Sequence, residues 1–295
     1  MDTISSPPNL FYLFSLWGSN PENIWAVGSA DETVNALWHY NGIIWEKTTQ
    51  RLSSNLQSIY GFDSSEIWMC DSPGGNIFRF DGSAWAKFTE FSVNGFPLTY
   101  INNIWGDNSH NIYAAGAIAD GSVNYKGIIL KFDGNIWKSV PIPETRISFI
   151  WIRRGMKESD KYYLTATRFE SVGDTNKIYE FDGLNLKEIY TGQEVATVNE
   201  MAGRIYICIG KKIFKYQNNQ LAVWKDFSAT QHVGRVWGRS EKDFFTVGEN
   251  GLTHYNGTDL ITIYATEMFI NDAFIFEKDI FILCNNRIII HGKLQ

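Results

Sequence analysis

"LWGSNPENIWAVG" occupies residues 16–28, and the phrase returns as "IWGDNSHNIYAAG" at 104–116 and "VWGRSEKDFFTVG" at 236–248. Each copy has an aromatic and a glycine, then five mostly polar residues, then a second apolar run. Self-similarity at a fixed period marks a chain built from one repeated supersecondary unit.

A second phrase follows the first. "LWHYNGIIWEKT" (37–48) matches "NIFRFDGSAWAKF" (76–88) and "IILKFDGNIWKSV" (128–140). Weaker copies begin at 177, 212 and 251, and weaker copies of the first phrase begin at 59, 150, 200 and 273. The sum is seven units of roughly 37 to 49 residues. Each unit reads as four short strands, A to D, rich in β-branched and aromatic residues and bounded by Gly, Asn and Asp. Asn-Gly or Asp-Gly recurs between C and D at 41–42, 81–82, 133–134, 182–183 and 256–257, which predicts type I′ hairpins. No stretch carries a 3.6-residue apolar period, so almost no helix is expected.

Seven four-stranded antiparallel units of this length predict an all-β, seven-bladed β-propeller, read as one domain over 1–295. The recurring tryptophans 17, 25, 45, 85, 105, 137 and 237 are expected to pack within and between blades. Gly after Trp is expected to let the chain turn without a Cβ clash. The last unit ends at strand C, while residues precede the first strand A. Residues near 2–6 are therefore expected to supply the missing strand D and close the ring, since an unpaired edge invites aggregation.

Composition narrows the function classes. The 295 residues carry 26 Lys+Arg against 32 Asp+Glu, a formal charge of −6, which gives no electrostatic footprint for nucleic acid. No apolar run is long enough for a membrane span. Three cysteines, Cys70, Cys208 and Cys284, are odd in number and widely spaced, so free buried thiols are expected rather than disulfides. The five histidines are scattered and no Cys/His cluster has metal spacing, so no metal or cofactor is expected. The start "MDTISSPPNL" suits both a cytoplasmic start and the spacer left after removal of a signal or lipoprotein anchor.

The pattern I-W-G, I-W-A-V-G, Y-D-G, W resembles the short propeller repeats of bacterial exported proteins. More distantly it is similar to BNR-type and photosystem II assembly-factor-type propellers. That resemblance implies the fold and export (periplasmic, lipoprotein or extracellular), with a cytoplasmic location as the alternative. It implies no functional residue: "FDGSAW" (80–85) and "FDGNIW" (132–137) keep only half of a sialidase Asp-box.

Two places are candidates for a site. The first is the face that carries the B–C loops and D–A links. The loops vary there ("SADETVNA" 29–36, "DSPGG" 71–75, "AIADGSVNYKG" 117–127, "RFESVGDTN" 168–176), and so do the links, of which "RLSSN" (51–55) and "EFSVNGFPLT" (90–99) are the longest. Variable loops on a rigid scaffold are where binding residues concentrate. Phe96 and Tyr125 are the aromatic candidates there. The second is the axial channel. The position two before the tryptophan of strand A holds Ser15, Ser58, Asn103, Phe149, Glu200, Arg235 and Asp272. Glu200 and Asp272 flank Arg235 and are expected to form a charge-assisted network with it, at a hydrated channel or a polar ligand-holding ring.

Enzyme motifs are missing: there is no G-x-S-x-G, H-E-x-x-H or phosphate-cradling loop. A glycosidase needs two carboxylates in different roles, and Arg235 between Glu200 and Asp272 would keep both ionised. The expectation is a non-catalytic, monomeric binding or scaffolding propeller that engages a protein or glycan. A carbohydrate hydrolase or lyase with a site at the channel mouth is the alternative.

Overall fold

The structure is a computed structural model. It describes residues 2–3, 10–30, 36–50, 52–122, 124–155, 160–170, 173–229, 234–285 and 288–293, with backbone only for Asp2, Thr3, Leu10 and Phe11. Seven four-stranded antiparallel sheets follow one another as blades, and no α-helix occurs among the described residues. The innermost strands, A, are Leu10–Asn20, Leu56–Asp63, Leu98–Asn108, Ser148–Arg154, Ala196–Met201, Val236–Ser240 and Ile270–Ile275.

Blade 7 consists of Ile270–Ile275, Asp279–Cys284, Ile288–Lys293 and, as its outer strand, Asp2–Thr3. Asp2 pairs with His291 and Thr3 with Ile290. The ring thus closes through the N-terminal segment, as expected; residues 4–6 of that expectation lie outside the described residues.

Apolar clusters run between blades as well as within them. Trp17 and Trp25 of blade 1 pack with Ile59, Ile67 and Phe78 of blade 2. Trp105 packs with Ile152 and Leu164 of blade 4, and Trp237 with Ala273 and Ile282 of blade 7. A fully buried large apolar side chain is worth about 1.5–3 kcal/mol, so the recurring tryptophans are structural staples.

Two local expectations change. The glycine after strand A's aromatic has an ordinary φ, so it is not a turn device. A Cβ on Gly61 would lie 2.8 Å from the Trp17 ring, and one on Gly238 would lie 2.7 Å from Met201 Sδ. Glycine stands there because the preceding blade, joined at Gly238 by Phe244 of the same blade at 2.5 Å, leaves no room for a Cβ. The Asn-Gly and Asp-Gly turns are also not type I′, because only their glycines have positive φ (Gly42 91°, Gly82 93°, Gly134 98°). The Asp or Asn side chain holds each turn instead: Asp81 Oδ1 accepts the N–H groups of Ser83 and Ala84 at 2.9 and 3.0 Å. Two consecutive positive φ values, the I′ requirement, occur in blade 5 at Asn218 (51°) and Asn219 (62°) and at Ala202 (52°) and Gly203 (78°).

B–C loops and D–A links share a face. Ser29 bridges Asn55, and Gly74 bridges Thr99. Of the variable segments, residues 31–35, 51, 123 and 171–172 lie outside the described residues. The 117–127 segment is shorter as a loop than expected, because Ala119 still pairs with Tyr125.

Candidate functional site

Strand A carries a bulge just before its axial position in blades 1, 2, 3, 4 and 7. The residue after the bulge pairs with the same strand-B position in each blade: Ser15 with Val27, Ser58 with Cys70, Asn103 with Ala115, Asp272 with Leu283. In blade 4 that register selects Trp151, opposite Thr165, and not Phe149, which is fully buried in the core. In blade 5 it selects Thr197, opposite Cys208, and not Glu200. Glu200 sits three residues further on, is exposed, and accepts the Gly203 N–H at 2.5 Å.

Axial side chains, with Thr165 and Asn199 near them, latch blades 2, 3, 4, 5 and 7 to the blade that follows each in the ring. Ser58 Oγ accepts the Ile104 N–H at 3.3 Å, and Asn103 Oδ1 accepts the Ile152 N–H at 3.1 Å. Thr165 Oγ1 accepts from Val198 at 2.8 Å, Asn199 Oδ1 from Val236 at 3.3 Å, and Asp272 Oδ2 from Leu16 at 3.3 Å. The acceptors satisfy buried backbone donors on the innermost strands, which a sheet edge would otherwise leave unpaired.

The expected three-membered charge network does not form. Arg235 makes one ion pair among the described residues, Nη2 to Asp272 Oδ1 at 3.0 Å. It also donates to the Asn271 carbonyl. Its guanidinium lies 4.8 Å from the Trp151 ring centroid and 4.9 Å from that of Trp237, a double cation–π contact. Asp272 Oδ1 also accepts the Trp237 indole N–H at 3.4 Å and the Ala273 N–H at 3.1 Å. A carboxylate held by that many donors is fixed in place, which suits a strut.

Sequence reasoning missed Arg153. It follows Ile152 into the channel and donates Nη1 to Asn103 Oδ1 and to the Ile152 carbonyl, both at 2.7 Å. Burial, with Arg235 nearby, brings its pKa down to about 10. Arg153, Arg235, Asp272, Glu200, Asn103 and Tyr60 line an axial cavity of about 330 Å³, together with the aromatic residues of strand A. Burial pushes the Tyr60 phenol up to about 12, against the pull of Arg153. A signal for Trp151 and Arg153 was present: an apolar residue stands two before and one after the axial position in "LFSL" (13–16), "LQSI" (56–59), "INNI" (101–104) and "FIWI" (149–152).

On the loop face, the structure joins Tyr125 to two further aromatics. Its ring centroid is 5.8 Å from Tyr100 and 5.4 Å from Phe169, which is 48 % exposed. Phe96 belongs to the same end of the blade: Lys126 Nζ lies 5.0 Å over its ring and pairs with Glu144 at 3.1 Å. Three segments from blades 3 and 4 thus meet in one aromatic patch, while Lys126, the next residue of the same strand, carries Phe96 on the opposite face of blade 3. The axial residues Asn103, Arg235 and Asp272 are brought together elsewhere, along the channel.

The remaining reactive groups are structural. The three cysteines are free and buried. Burial pushes the Cys208 thiol up to about 12 and the Cys284 thiol up to about 11, far from a usable thiolate. His39, His254 and His291 stack on Trp25, Phe245 and Phe281 and bond through Nε2 to Asn23, Asp243 and Asp279 at 2.6, 2.8 and 2.7 Å. Among the described residues, no group of three or more His, Cys, Asp or Glu is placed to hold a metal ion. No described helix is long and apolar enough to cross a membrane.

Comparison with known proteins defines the class by its fold: a seven-bladed β-propeller. No protein-family model matches the chain, and no curated protein matches it. Among solved structures, it is similar to YCF48 bound to D1 peptide, with a TM-score of 0.71 at 16% identity, covering 100% of this chain and 97% of that one. It is also similar to a catalytically inactive virginiamycin B lyase from Staphylococcus aureus with quinupristin (TM-score 0.68, 12% identity, 100% and 99% covered). A third is the extracellular domain of a putative one component system from B. thetaiotaomicron (TM-score 0.66, 13% identity, 100% and 40% covered). At these identities the likeness is one of fold.

Proposed function

We propose that this propeller is a non-catalytic binding module that takes an extended peptide segment of a protein partner on its loop face, over blades 3 and 4. The observation that carries this is the Tyr100–Tyr125–Phe169 patch. Aromatic side chains left partly in water at the junction of three segments offer large contact area at low entropic cost. The similar fold of YCF48, seen with a D1 peptide, supports a propeller of this size holding a peptide. A carbohydrate hydrolase finds less support, because Asp272 is bound to Arg235 and to backbone donors.

The test is selection from a displayed peptide library, run beside a glycan array, with the intact protein and a Tyr125→Ala/Phe169→Ala double variant. Peptide ligands are expected to be lost in the variant while its melting temperature changes little. Glycan hits without peptide hits, or peptides that bind both proteins equally, would rule the assignment out.

A further inference from the structure

Arg153 differs from Arg235, the other arginine that lines the cavity. Arg235 has its carboxylate, Asp272, at 3.0 Å. Arg153 has no ion pair among the described residues. Its Nη1 is used by Asn103 Oδ1 and the Ile152 carbonyl, both neutral acceptors. Guanidinium carries five N–H donors, so the Nε–H and the two Nη2–H bonds are left without an acceptor among the described residues. Nε and Nη2 form one planar edge, the fork that matches the two oxygens of a carboxylate. The chain itself shows that match at Arg239, whose Nε and Nη2 meet Asp243 Oδ2 and Oδ1 at 2.6 and 2.9 Å.

The surroundings of that free fork are a site in kind. Tyr60 lines the same cavity, and its hydroxyl makes no hydrogen bond among the described residues. Trp105, Trp237 and Phe274 supply apolar wall. A cavity of about 330 Å³ is at the small end of ligand pockets, which run from roughly 300 to 1,000 Å³. Glu200 and Asp272 also line it and set the charge it tolerates. Two guanidinium groups and two carboxylates cancel in sum, so the fork of Arg153 and not net charge attracts an anion, and a phosphate dianion would meet more repulsion from the two carboxylates than a monoanion.

We propose that the axial cavity is a binding site for a small monocarboxylate with an apolar body, its carboxylate forked by Arg153 Nε and Nη2 and capped by the Tyr60 hydroxyl. The site is separate from the loop face and does not rest on what binds there. The carboxylate comes either from a free acid or from a chain terminus.

Saturation-transfer NMR and calorimetry with benzoate, benzamide and phenyl phosphate test the charge and shape. A pentapeptide with a free C-terminus, against its C-terminal amide, distinguishes the two sources. At least one acid is expected to bind saturably, with its amide about tenfold weaker, in line with the loss of a charge-assisted fork. Phenyl phosphate is expected to bind more weakly than benzoate. Arg153→Gln is expected to weaken the acid about tenfold or more, and Tyr60→Phe several-fold. Arg153→Lys, which keeps the charge but loses the fork, holds the test open if the Gln variant does not fold. The proposal is overturned if neither acid binds, if amides bind as well as acids, or if the folded variants bind like the parent.

Discussion

Asp272 of the last blade accepts the backbone N–H of Leu16 in the first, at 3.3 Å across 256 positions of sequence. The ring is therefore closed twice: at its rim by the pairing of Asp2–Thr3 with the last blade, and at its axis by one side chain. The same carboxylate anchors Arg235 at 3.0 Å, and both side chains are about 15 % exposed (15% and 16%). Removing one partner of a largely buried pair leaves the other uncompensated, at a cost of about 3 kcal/mol. Asp272→Ala is expected to lower the denaturant midpoint by that measure. Asp272→Asn, which keeps an acceptor for Leu16, is expected to lower it less. Equal midpoints for the two variants would show that the axial latch contributes nothing.

Removal of residues 1–7 is expected to expose the edge of Ile288–Lys293, where Ile289 and Ile290 are buried. An apolar β-branched edge pairs with other chains. The truncated protein should melt several degrees lower, and its amides at 288–291 should exchange faster than those of the other blades. Unchanged melting and a monomeric truncated chain would contradict the closure.

Gly61→Ala places a Cβ 2.8 Å from the Trp17 ring. Overpacking of this kind costs about 1–3 kcal/mol. In a double-mutant cycle with Trp17→Phe the two losses should fall short of additive, because the smaller ring gives the methyl room. Strict additivity, read from urea denaturation, would separate Gly61 from Trp17.

Burial lowers the His39 pKa below its ordinary 6.5, against the weaker pull of Glu46. The folded protein then binds this proton less readily than the unfolded chain. The contribution to stability is complete above pH 6.5 and is lost as pH falls through that value toward the folded pKa. Melting temperatures of the parent and His39→Gln, compared from pH 8 to pH 5, should converge on acidification. Curves that stay parallel would mean that His39 titrates alike in both states.

Cys70, Cys208 and Cys284 are buried, and all three thiols are raised in pKa by burial. At pH 8 the native protein is expected to react with a thiol reagent only at the rate of unfolding, and all three groups should react in denaturant. Rapid labelling of a native thiol would place it at the surface.

The local pattern of the chain determined the blade count, the strand order, the free buried cysteines and the edge that needed the N-terminal segment. Each follows from residues a few positions apart, or from a period that repeats seven times. Phe96 and Tyr125 were legible as aromatics in variable segments, but Tyr100 and Phe169, the neighbours of Tyr125, lie on another strand and on a loop of the next blade. The axis was decided in three dimensions. A bulge between Phe149 and Trp151 moves one side chain into the core and the other to the channel, and a one-residue shift of this kind exchanges the two faces of a strand. In blade 5 a two-residue turn joins Met201 to Arg204, and the register it sets puts Thr197, three residues before Glu200, opposite Cys208 at the axial position. Arg153 gained its meaning from Asn103, 50 residues away on the neighbouring blade, and from the absence of any carboxylate within ion-pair distance among the described residues. Partners of that kind are set by how one blade packs on the next, and no spacing along the chain encodes them.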